Sequence, residues 1–78
     1  MENAAAIAVL NDLQMGHNVS LRSLKDMRLQ AAALPEGSVE RDAIEYWIPA
    51  AVQNVNDIAD KMDEAFVVLG VPLKVARA

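Results

Sequence analysis

Cysteine is missing from this chain, and histidine, tryptophan, tyrosine and phenylalanine occur once each. Without cysteine there is no disulfide framework and no thiolate metal site. With His17 as the sole imidazole, a zinc site or a Cys–His nucleophilic pair within one chain is excluded. Di-iron carboxylate sites in helical bundles use Glu-x-x-His pairs, and the sequence has none. Gly16, Gly37 and Gly70 stand alone and form no phosphate-cradling loop. No apolar run reaches the roughly 18 residues of a membrane span. The opening Met1-Glu2-Asn3-Ala4-Ala5-Ala6 lacks the basic start of a signal peptide. Positive charge is scarce as well, seven Lys and Arg against eleven Asp and Glu, and the net −4 argues against general nucleic-acid binding. These absences together describe a cytoplasmic protein that is not an enzyme, has no catalytic residue, metal or cofactor, and does not enter a membrane.

What the chain does have is aliphatic and small apolar side chains. Hydrophobic residues make up 54% of its 78 positions, enough for one small domain over residues 1–78. A monomer of this size buries only about 60% of its unfolded surface, so the apolar surplus predicts self-association. In the second half, Ile44, Ile48, Ala51, Val55, Ile58, Met62, Ala65 and Leu69 recur at steps of four and three. That spacing keeps one seam of an α-helix facing a partner, as in a coiled coil or helical bundle. Val52, Ala59 and Phe66 follow alternate seam residues directly and widen the stripe, which predicts more than one neighbour for this helix.

Punctuation along the chain predicts an all-α fold. A short first helix is expected over residues 2–15, with Gly16 at its end and His17 supporting the terminal carbonyls. Ser20 then suits the N-cap of a second helix over residues 20–34, closed by Pro35-Glu36-Gly37. Ser38 suits the N-cap of a third over 39–69, with Glu40 and Asp42 in its first turn and Gly70 and Pro72 past its end. Pro49 falls inside this last helix and should kink it, since proline removes a hydrogen bond and crowds the carbonyl of Glu45. The expected architecture is an antiparallel hairpin of the second and third helices, with the first added. A tail over 70–78 follows, and the whole assembles into a helical-bundle homo-oligomer.

Charge is segregated in a way that suggests sites. Arg22, Lys25 and Arg28 lie at three-residue steps and suit either a solvated face paired with the acidic last helix or an anion site. Tyr46 and Trp47 flank the apolar seam beside Arg41 and Glu45. They suit packing at a half-wet interface, or a surface on which a base stacks with Arg41 close enough to hold phosphate. Asp57, Asp60 and Asp63 are oxygen donors at steps of three, but they fall on outward heptad positions and read as a solvated face.

The stretch Leu34-Pro35-Glu36-Gly37-Ser38-Val39-Glu40-Arg41, followed by Ala43, Ile48, Ala51, Asn56, Ile58 and Ala59, resembles the helical-hairpin domain of phage anti-CBASS sponge proteins. The likeness covers residues 20–60, and the family has Leu-Glu where this chain has Ile48-Pro49. It implies an oligomer, in the cytoplasm of the bacterial host, that sequesters cyclic oligonucleotide signals without turnover. Arg41 is the residue that falls on the family's acidic-basic pair. Arg22, Lys25, Arg28, Tyr46 and Trp47 join it as candidate ligand residues on the anion-site and stacking readings above. The alternative reading is a small helical inhibitor or adaptor that docks on a host or viral protein through its apolar stripe and acidic face.

Overall fold

The computed structural model describes residues 2–78; Met1 lies outside the described residues. Two helices of equal length, α1 (Glu2–Ala32) and α2 (Val39–Leu69), form an antiparallel hairpin, and residues 70–78 return along it as a non-helical tail. The result is a rod of 53 × 17 × 14 Å.

The first correction to the sequence reading concerns α1. Where two helices were expected, with a connector at Gly16–Val19, one helix runs unbroken from Glu2 to Ala32. Ser20 is therefore not an N-cap and His17 does not sit at a helix end. The reason is a second heptad seam. Ala6, Leu10, Leu13, His17, Ser20, Leu24, Met27, Ala31 and Leu34 are buried or half-buried, while almost every other side chain of the helix is exposed. A mid-helix glycine costs about 1 kcal/mol, which packing along eight turns against α2 readily outweighs.

Facing positions fix the pairing of the two helices. The Asn54 side-chain amide donates to the Ser20 hydroxyl at 3.0 Å, and Gly16 lies beside Ile58. Leu24 and Val55 are the most completely enclosed large side chains, joined in the core by Ala31, Ala59, Met62 and Ala65. Of the seam expected in α2, Val55, Met62 and Ala65 are buried, and Ile44, Ile48, Ala51, Ile58 and Leu69 are half-buried.

The turn and both ends of α2 follow from local chemistry. The Ser38 N–H donates to the Pro35 carbonyl at 3.2 Å, closing a β-turn whose third residue, Gly37, has φ +78°. The Ser38 hydroxyl caps α2 by accepting from the Arg41 N–H at 3.2 Å. Arg41 secures the same turn, donating to the Leu34 carbonyl at 3.1 Å and to Glu45 at 2.7 Å. At the far end Gly70 is left-handed, its N–H bonds Val67 and the Val71 N–H bonds Phe66, the Schellman pattern. α2 stays helical through Pro49.

Candidate functional site

A two-helix hairpin has two edges, the grooves on either side of the seam. One is closed by the tail. The Val75 N–H donates to Asp63 Oδ1 at 2.7 Å and the Ala78 N–H to Asn56 Oδ1 at 2.8 Å. Arg77 Nη2 donates to both Asp60 Oδ1 at 2.5 Å and Asp63 Oδ2 at 2.7 Å. On the tail side, α2 carries a second row beyond its seam, with Ala59 buried and Val52, Asn56, Asp63 and Phe66 half-buried. This row includes the widened stripe noted in the sequence, and the neighbour lying along it is the chain's own C-terminal segment. The Val75 N–H first and the Arg77 guanidinium second hold the Asp63 carboxyl below its ordinary value, with Lys74 adding to the effect. Of the three aspartates read as a solvated face, Asp60 and Asp63 instead accept from Arg77, and Asp57 accepts from the Gln53 amide at 2.7 Å.

Past the end of the tail, the same edge continues as a cavity of about 420 Å³ walled by Leu21, Leu24, Leu29, Lys25, Arg28 and Ala78. Two of the three basic residues singled out in the sequence thus face this edge. The third, Arg22, is exposed and lies two residues from buried Leu24, on the back of α1.

The opposite edge is open. Near the rod's far end it forms an apolar groove of about 700 Å³ lined by Val9, Leu13, Ala65 and Val68, with Lys61 and Glu64 its charged members. Trp47 lies on the same side of α2, two heptads from Lys61 and three from Val68. It is 61% exposed, its neighbour Tyr46 is 74% exposed, and their rings meet edge to face with centroids 5.3 Å apart. One chain therefore carries Lys25 and Arg28 on the tail edge and Trp47 on the open one, and does not bring them together. Arg41 already has Glu45 and the Leu34 carbonyl as partners.

Sequence reasoning missed the groove around Val9 and Val68, whose signal is the row beside the seam of the unrecognised long α1. It also missed the hold of the tail on α2, which joins residues far apart in the chain. His17 is buried in the seam, 9% exposed, and its Nε2 has no hydrogen-bond partner. Among the described residues no helix is long and apolar enough to cross a membrane, and no His, Asp and Glu cluster is arranged to hold a metal ion. Comparison with protein-family models, curated proteins and solved structures finds no match for this chain.

Proposed function

We propose that this chain is a non-enzymatic helical interaction module, working as a homo-oligomer that docks a protein partner helix on helix. The observation that carries the reading is the open edge, where Val9, Trp47 and Val68, joined by Tyr46, expose large apolar side chains along one side of a thin rod. Lys61 and Glu64 sit together in its groove, so two copies related by a two-fold axis can set opposite charges against each other. A kink of α2 at Pro49, beside Tyr46 and Trp47, belongs to the same proposal and sets the angle at which partner helices meet that end of the edge.

Native mass spectrometry of untagged protein purified from a bacterium with an active cyclic-nucleotide defence tests this. A self-assembled species, or one carrying a second protein and no small ligand, supports the module. A ligand-free monomer at micromolar concentration discards it.

A second reading, sequestration of cyclic oligonucleotides as the counter-defence resemblance implies, is favoured by the exposed Tyr46–Trp47 pair. It also draws on Lys25 and Arg28, which have no ion-pair partner among the described residues. Since one chain keeps these groups on separate edges, the site would form between protomers. Added nucleotide mass on the oligomer in the same spectrum supports sequestration. A panel of cyclic di- and trinucleotides that leaves no added mass discards it.

A further inference from the structure

We infer that the tail edge is a recognition groove for an extended, arginine-bearing peptide, and that residues 71–78 occupy it in cis as a displaceable stand-in for that ligand. Two features of this packing carry it beyond mere docking of the tail. First, the groove addresses the backbone of its occupant: Asp63 and Asn56 accept the N–H groups of Val75 and Ala78, three residues apart. An extended segment has no internal hydrogen bonds, so donors of this kind are available from any peptide laid along α2. Second, side chains are selected. Val71 and Val75 are half-buried at a spacing of four, and Arg77 uses both terminal nitrogens, Nη2 donating to Asp60 and Asp63 while Nη1 donates to the Val75 carbonyl at 2.7 Å, three acceptors served by one planar group.

The attachment is built to let go. Apart from Asp63, whose side chain is 17% exposed, the ion-pairing groups are open to water, with Arg77 41% and Asp60 61% exposed. Such ion pairs are weak singly and hold in cis because the tether keeps their local concentration high. Gly70 in its left-handed turn is the pivot about which the tail swings away. This groove lies across the rod from the open edge, so the inference stands or falls separately from the oligomer reading.

The test uses the full-length chain and a fluorescently labelled synthetic peptide of residues 70–78. Anisotropy titrations compare wild type, Arg77→Ala, and the double variant Asp60→Asn/Asp63→Asn, with circular dichroism confirming that each remains helical. Weakening the cis tail with Arg77→Ala should tighten binding of the added peptide by about tenfold, as the internal competitor is lost. The aspartate variant should bind neither tail nor peptide. An Arg77→Ala chain that takes up no peptide overturns the inference, as does equal binding to the aspartate variant. A wild-type dimer that dissociates on Arg77→Ala also overturns it, because the tail would then be exchanged between copies rather than held in cis.

Discussion

Along the tail edge, α2 shelters a second row of side chains from Val52 to Phe66, whereas along the open edge Val9, Trp47 and Val68 stand in solvent. Both edges flank the same seam, and both carry apolar residues at regular spacing, so hydrophobicity alone does not decide which is covered. What distinguishes them is a row of acceptors. Asn56, Asp60 and Asp63 lie where an extended backbone and an arginine can use them, and the segment just past Gly70 supplies both. The open edge has Lys61 and Glu64 in its groove instead, a pair suited to another helix. Polar anchors choose the occupant and apolar burial holds it.

The harshest way to break the comparison is to remove what the edges share. Leu24 is enclosed on all sides, and truncating it to alanine should cost about 2–5 kcal/mol. For a hairpin of this size that is much of the total stability. Thermal unfolding followed at 222 nm should show a far lower melting point, with the tail released as the helices melt. A loss under about 1 kcal/mol would mean that the seam is not the core.

A narrower cut separates the edges. Val9→Glu combined with Val68→Glu places carboxylates in the open groove and leaves the tail untouched. Sedimentation should show self-association weakened on the order of a hundredfold, roughly 3 kcal/mol, while the Val75 amide keeps its resonance position. Unchanged assembly would move the interface elsewhere on the rod.

His17 sharpens the picture of the seam itself. Its Nε2 is buried without a partner, so His17→Leu exchanges an unsatisfied polar group for an aliphatic one at a core heptad position. A stabilisation of about 1–2 kcal/mol is expected, read as a higher denaturant midpoint at constant slope. A destabilised variant would show that the imidazole has a function in the seam beyond filling it.

This residue also marks the limit of what the sequence made legible. The seam of α2 was readable because all eight of its positions are apolar, and Ser38 and Gly70 announced its ends. The seam of α1 obeys the same spacing but passes through His17 and Ser20, and Gly16-His17-Asn18 has the grammar of a turn. Local signals there pointed to a break, and packing against α2 overrode them. The widened stripe of Val52, Ala59 and Phe66 correctly demanded another neighbour. Nothing local could reveal that the neighbour is residues 71–78, because Arg77 meets Asp60 and Asp63 only after the chain has reversed at Gly70. Arg41 shows the converse case: its partner Glu45 lies one helical turn on, within reach of sequence reasoning, yet the bond to the Leu34 carbonyl depends on the fold.

Acid should loosen the tail edge. Asp63 has its carboxyl pKa lowered in the folded chain, by the Val75 N–H and then by Arg77 and Lys74. A depressed folded-state pKa means that this stabilisation is fully present above the ordinary carboxylate range and is lost as pH falls through the lower, folded-state value. Asp60, on the same guanidinium, is the like charge in the cluster. A pH titration followed by NMR should move the Val75 amide only below the ordinary carboxylate range. Movement of Val75 at a higher pH would break the link between Asp63 and the tail.

The mildest change carries the finest distinction. Gly16 lies in the middle of α1 on the open-edge side, and a methyl group there would meet only Ile58 Cδ1 at 3.9 Å, an ordinary contact. Its backbone is helical, so alanine adds no strain and removes freedom from the unfolded chain. Within a single hairpin, Gly16→Ala should therefore stabilise by about 0.5–1 kcal/mol. If a second copy lies against this edge, the same methyl enters the interface, and the gain in thermal stability should come with weaker self-association. Stability and assembly measured on one variant thus report on different neighbours. A gain in stability with unchanged assembly would mean that the partner helix stays clear of Gly16 and meets the edge only toward Val9 and Val68 or toward Trp47.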